Sequence, residues 1–384
     1  MLLDLIDLFI WLVGLLGVLV AWTLFWRRAL ALPEGADEIH FVTTDDGWRL
    51  GMGRYRPKSA AEPRLPVVLC HGLGANRFNM DFGERRSLAR YLAAQGFECW
   101  VPELRGAGRS AAPPGAGRQG CAWDFDTLVL QDVPAVVRTV CERSGAARVH
   151  WVGHSLGGLV LFGHLAATEG DPRIASVFAI ASPGDGTLVR PSVRSSLAAL
   201  DTISRWFGSL GLSVLAGLAA PFGGLLVYAP QPGPLVNPDN VEPWVARRAL
   251  AHLATDLNLR LLRQMSRWAF SSEPGFTTYD GGTNYLSALS EVTTPAFFAA
   301  GAADGVVLPD SVRAAFDAWG GQASEFHIFG RNHGARIDYG HGDLLVGAHA
   351  PSEVFPCVRD WLVRQESEAA RPSEPAPEDD LSEP

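Results

Sequence analysis

Residues able to do acyl chemistry stand at well-separated points of the chain. Ser155 lies in Gly153-His154-Ser155-Leu156-Gly157-Gly158, between a β-rich run at 148–153 and a helix-like run at 156–168. Glycines two residues either side leave room for a sharp strand-to-helix turn, which pushes one hydroxyl outward to where a substrate can reach it. A serine hydroxyl is a weak nucleophile near neutral pH, so it needs a base, usually histidine, held in turn by a carboxylate. Asp304, in Gly301-Ala302-Ala303-Asp304-Gly305, stands just past a strand-like run at 295–301, which would set its carboxylate at the same sheet edge as Ser155. Asp280, in Asp280-Gly281-Gly282, is a weaker acid candidate because no strand precedes it. Two histidines follow the last strand-like run: His333 in Asn332-His333-Gly334, and His341 in Tyr339-Gly340-His341-Gly342-Asp343. Position alone divides them almost evenly.

Charge developing on a tetrahedral intermediate must meet preorganised N–H donors. The Leu156 amide, opening its helix at the positive end of the helix dipole, is one such donor. The second should come from His71-Gly72-Leu73-Gly74, directly after a strand-like run at 66–70. Glu103-Leu104-Arg105-Gly106-Ala107-Gly108-Arg109-Ser110 is glycine-rich enough to suggest a phosphate cradle, but no lysine follows and it reads as a structural turn. No set of His, Cys and carboxylate residues has metal-ligand spacing, so neither a metal nor a cofactor is expected.

These residues need a scaffold, and the chain of 384 residues carries the pattern of one. Strand-like runs begin at 38–43, 48–55 and 66–70, and helix-like runs then alternate with strands: 81–95, 98–102, 125–143, 148–153, 156–168 and 174–181. Such alternation implies a mostly parallel sheet covered by helices on both faces. From 185 to 285 the chain offers helix-like segments, 241–254 and 257–268 among them, and no convincing strand. The pattern resumes with 295–301, 311–319, 325–329 and 352–364. The insertion reads as a helical cap over the carboxyl edge of the sheet, where open α/β sheets bind ligands. Within it, 209–228 holds no charged residue. That stretch packs on the core, forms an apolar acyl pocket or dips into lipid; Pro221 and Gly223-Gly224 argue against a second membrane span.

Residues 8–26 are also uncharged, and 19 helical residues span roughly 28 Å at about 1.5 Å each, the thickness of a bilayer core. Trp11, Trp22 and Trp26 suit the interfaces, and Arg27-Arg28 end the segment. Asp4 and Asp7 stand where a cleaved signal peptide would be basic, so a single-pass anchor is expected, with the arginine side and the catalytic body leaning to the cytoplasm. The chain divides into a membrane anchor (1–28), a linker (29–37), a first core segment (38–184), the cap (185–285), a second core segment (286–365) and an acidic tail (366–384) expected to be disordered. Net charge is 32 − 41 = −9, of which the tail supplies −6, so the near-neutral body gives no reason to expect nucleic acid. The five cysteines are scattered with no C-x-x-C spacing and read as reduced core thiols.

Over about residues 38–365 the sequence resembles the α/β-hydrolase superfamily, and within it the acid (gastric and lysosomal) lipase group. Trp123-Asp124-Phe125-Asp126 with Gln131-Asp132-Val133-Pro134-Ala135 is similar to that group's W-x-F and later D-x-P-A. Gly153 to Gly158 resembles its GHSxG turn, and His341-Gly342-Asp343-Leu344 with Ala350-Pro351 resembles the region that begins at its catalytic histidine. The resemblance implies an α/β-hydrolase fold with a helical cap, and a triad in the order Ser155, Asp304, His341, with His333 in reserve. It also implies the Leu73 amide as the second oxyanion donor beside Leu156. The elbow carries Leu156 where those lipases usually have Gln, and an amino-terminal span replaces their cleaved signal peptide. The expected activity is cleavage of a carboxylic ester or lipid at a membrane, through an acyl-enzyme. An acyltransferase or thioesterase using the same acyl-enzyme is the nearest rival, and a catalytically silent membrane scaffold is the rival from another class.

Overall fold

A computed structural model describes residues 2–59, 64–83, 85–203, 208–229 and 235–369. Its first element is the helix α1 (Leu2–Ala29), most of whose length stands clear of the rest of the molecule. Among the described residues ten strands follow: β1 (Glu38–Thr43), β2 (Arg49–Tyr55), β3 (Val67–Cys70), β4 (Cys99–Pro102), β5 (Val149–His154), β6 (Ile174–Ile180), β7 (Ser209–Leu210), β8 (Leu257–Asn258), β9 (Ala296–Gly301) and β10 (Ser324–Phe329). Eight form one sheet in the order β1-β2-β4-β3-β5-β6-β9-β10. The β1–β2 and β2–β4 pairs are antiparallel, and from β4 to β10 every pair is parallel.

Every residue of β3, β5, β6 and β9 is buried, as a parallel sheet covered on both faces requires. Side chains alternate along each strand, so β3 sends Val68 and Cys70 into one core and Val67 and Leu69 into the other. The helices Val133–Ser144 and Leu156–Ala167 cover the first face. Leu88–Ala94 and Ala350–Ala369 cover the second.

The structure departs from the sequence expectations at several points. The run at 81–95 becomes helix only from Leu88, where the Ser87 side chain accepts from Arg90 N–H and caps the first turn. Ahead of that cap Asp81 accepts from the Tyr55 hydroxyl and the Arg90 guanidinium. In 125–143 a π-turn, Leu128–Asp132, interrupts the α-helix so that Asp132 meets Arg105. The cap is not strand-free: within it β7 and β8 pair antiparallel, Ser209 with Asn258 and Leu210 with Leu257. The last helix runs on to Ala369, because Glu366 accepts from the Leu65 amide and the Arg64 guanidinium; the tail therefore does not begin at 366. Its remainder, 370–384, lies outside the described residues.

Candidate active site

β5 delivers Ser155 to the carboxyl edge of the sheet. Its backbone sits at φ 52°, ψ −118°, a strained conformation for a residue with a side chain. Neighbouring glycines make the turn possible: a Cβ on Gly153 would overlap the Gly157–Gly158 backbone, one on Gly157 the Cys70 carbonyl, and one on Gly158 the Ser182 side chain. Ser155 N–H donates to the Ile180 carbonyl at 2.8 Å and the Trp151 indole to the Gly157 carbonyl at 2.9 Å, which fixes the turn from both sides.

Asp304 follows β9 and His341 follows β10, and the structure brings the two together. His341 Nδ1–H donates to Asp304 Oδ2 at 2.7 Å. The other carboxylate oxygen accepts from the Val306 and Val307 amides, each at 2.8 Å, so Asp304 cannot turn away. Both side chains are buried, His341 6% and Asp304 1% exposed. The other sequence candidates lie elsewhere. His333 is exposed on a short turn after β10, and Asp280 is exposed in a loop where it accepts from Thr278 and the Gly282 amide.

Ser155, His341, Leu73 and Leu156 line one cavity of about 510 Å³. Neither the Leu73 nor the Leu156 amide has an acceptor among the described residues, so both remain available to an oxygen in that cavity. Away from these groups the walls are almost wholly apolar, with Leu188, Val193, Leu197, Leu250, Leu257 and Met265 among them. The arrangement can hold an apolar chain with its carbonyl carbon at the serine. His341, bonded to Asp304, is one of the few polar side chains in its wall.

A second polar layer, which sequence reasoning did not identify, ties these loops together. Asn79 Oδ1 accepts from Gly72 N–H at 3.1 Å and lies 3.0 Å from His154 Nδ1. His154 Nε2 lies 3.1 Å from the His341 carbonyl, and its ring packs 4.7 Å from that of His341. Burial, and then the neighbouring His341, hold His154 well below the usual histidine range, so it links the Asn79 and His341 segments as a neutral ring. His71, also buried and held low, donates through Nδ1 to the Gly72 carbonyl and accepts from the Leu104 amide at 3.1 Å. The Glu103–Ser110 segment is the structural turn expected: Glu103 accepts from the Arg109 amide and Arg77, and a Cβ on Gly108 would overlap the Glu103 carboxylate.

Asp343 carries a further link. Its carboxylate accepts from the Asn237 amide at 3.0 Å and from Asn240 Nδ2 at 2.8 Å, while Gly342 N–H donates to the Leu235 carbonyl. The middle of the cap, 235–240, is thereby stitched to the His341 loop. Burial pushes the Asp343 carboxyl up to about 6, with the Asn240 and backbone hydrogen bonds pulling the other way.

A family model described as the alpha/beta hydrolase fold matches residues 66–226. Lipase lipl-3 of Caenorhabditis elegans is 31% identical over 158 residues, covering 38% of this chain and 39% of that protein. Lipase member K of Homo sapiens is 29% identical over 177 residues, 44% of this chain and 43% of that protein. The chain thus spans about two fifths of the length of these relatives. A bacterial membrane phospholipase A of known crystal structure superposes with a TM-score of 0.53 at 18% identity, covering 95% of this chain and 98% of that one. At that identity the likeness is one of fold.

Proposed function

We propose that this chain, which has the α/β-hydrolase fold and is lipase-like in sequence, is a membrane-anchored serine ester hydrolase acting on substrates with an apolar acyl chain. The observation that carries the reading is the shared cavity: an outward serine on a strained turn faces apolar walls, a buried Asp304–His341 pair and two unengaged amides.

Ser155 Oγ attacks the ester carbonyl carbon while His341 Nε2 takes its proton. Asp304, accepting from Nδ1–H, fixes the tautomer that leaves Nε2 free and stabilises the imidazolium as it forms. The Leu73 and Leu156 amides receive the oxyanion, and each such donor contributes roughly 3 to 4 kcal/mol to the transition state. His341 returns the proton to the leaving alcohol, and the acyl-enzyme is resolved by water through the reverse steps.

α1 supports the anchoring. Leu5–Ala29 is 25 residues of exposed, apolar helix, about 37 Å long at about 1.5 Å per residue, with Arg27 and Arg28 in its last turn. On this reading the helix crosses the bilayer once and the body lies on the arginine side, in the cytoplasm.

A fluorophosphonate probe tests the chemistry. The full chain in detergent should be labelled, and Ser155→Ala should not; equal labelling of the two proteins sinks the proposal. Turnover of p-nitrophenyl esters should rise with acyl length up to the capacity of the cavity. Product formed only when an alcohol or a thioester is supplied would move the assignment to acyl transfer or thioester cleavage.

A further inference from the structure

The cap segment 211–228 folds as two short helices, Leu212–Ala219 and Gly223–Leu226, joined by the turn Ala220–Phe222. Its two sides differ. On the inner side Leu212 and Ala216 line the catalytic cavity. On the outer side Val214, Leu215, Phe222, Leu225 and Tyr228 are 58%, 56%, 52%, 73% and 60% exposed. No charged residue falls between 209 and 228 to interrupt this surface. A soluble protein seldom leaves so many large apolar side chains together in water, and such patches mark contact sites.

What covers the patch is indicated by its neighbour. Trp22 of α1 stacks on Phe222, ring centroids 6.4 Å apart, and its indole N–H donates to the Leu218 carbonyl. Arg27 donates to the Ser213 carbonyl, and the missing Cβ of Gly217 makes room for Thr23. The outer side of the cap therefore continues the apolar surface of α1, where Leu24 and Phe25 are 62% and 63% exposed. Arginines border the join: Arg27 and Arg28 end α1, Arg247 packs under Gly223 and Gly224, and the Arg248 guanidinium lies over the Trp244 ring. An apolar face edged by arginine and tryptophan suits the boundary between headgroups and acyl chains, and the arginines suit anionic headgroups.

We infer that segment 211–228 is a second bilayer contact, seated in the leaflet from which α1 emerges. One wall of the catalytic cavity then lies in lipid, and the acyl ester reaches Ser155 from the leaflet and not from water. The route of the substrate rests on the ester hydrolase reading above. The bilayer contact rests on α1 as a span.

The test uses the full chain reconstituted in vesicles of phosphatidylcholine and phosphatidylglycerol, with and without brominated acyl chains. A fluorophore is attached at Leu215→Cys or Leu225→Cys, with Leu130→Cys, a comparably exposed site outside the cap, as the reference and labelled wild type as the blank. Bromine should quench the two cap sites at least threefold more than position 130. Equal quenching at all three positions overturns the contact. Burial of the cap labels that persists in lipid-free detergent, together with a dimeric chain, assigns the patch to a second copy and also overturns it. A second arm compares Leu215→Glu/Leu225→Glu with wild type, since neither side chain lines the cavity. Hydrolysis of a long-chain ester carried in the vesicles should fall at least tenfold while a short soluble ester is cleaved as before. Equal loss on both esters counts against entry from the leaflet. A wild type inactive on both removes the ester hydrolase reading, and quenching still decides the contact.

Discussion

Asp304 is held by three hydrogen bonds, one from His341 and two from backbone amides, so its removal should disturb chemistry more than shape. In Asp304→Asn the amide cannot enforce the tautomer that leaves His341 Nε2 as acceptor, and kcat should drop by roughly 10⁴-fold with the unfolding transition little changed. His333→Ala, altering an exposed loop side chain, should stay within twofold of wild type on the same short ester. A large loss in His333→Ala with an active His341→Ala would refute the assigned base. The sequence carried the serine and its glycines plainly, because turn geometry depends on residues two or three positions apart. The choice between His333 and His341 was not legible from spacing, since it depends on where each loop lies relative to Asp304. His154 and Asn79 were invisible for a related reason: their partners lie 187 and 75 residues away.

Between elements, the connection most exposed to solution conditions is the one from the cap to the His341 loop. Asp343, buried and bonded to Asn237 and Asn240, titrates near 6 in the folded chain against 3.8 ordinarily. From pH 4 to 6 the native state therefore binds more protons here than the unfolded state does, and stability contributed at this site falls as pH rises, levelling above 6. A shift of about two pH units corresponds to roughly 3 kcal/mol. Denaturant unfolding of Asp343→Asn and wild type at pH 4 and pH 7 should give a difference that changes by up to that amount, wild type losing ground at pH 7. Parallel pH dependences would show that burial of Asp343 is relieved in some other way. The elements themselves were largely readable, because strands buried on both faces are continuous apolar runs and the βα alternation is strong. Boundaries failed where a side chain far away decided them, as at Leu88, the π-turn that serves Arg105, and the helical extension secured by Arg64 and Glu366.

At the scale of the whole molecule, core, cap and α1 meet on one side, and that geometry limits how the body can sit on a membrane. The Trp22 contact with Leu218 joins residues 196 apart, which explains why neither α1 nor segment 209–228 announced in sequence that each was the other's neighbour. Both were legible singly, as uncharged stretches, the first unbroken and the second interrupted by Pro221 and Gly223-Gly224. Because Arg27 and Ser213 are hydrogen bonded, the cap is fixed at the arginine end of α1, and on the proposal that α1 spans a bilayer, whichever side receives Arg27 and Arg28 also receives Ser155. Passing both guanidinium groups through the bilayer centre is disfavoured by at least about 2.5 kcal/mol each, and cytoplasmic retention of Lys and Arg sets the orientation of short spans. Protease added to sealed cells should therefore leave the body intact, and should digest it once the membrane is opened. If sealed cells lose the body and keep a cytoplasmic marker, α1 is inserted the other way, the active site faces outward, and its ester substrate must be drawn from the outer leaflet.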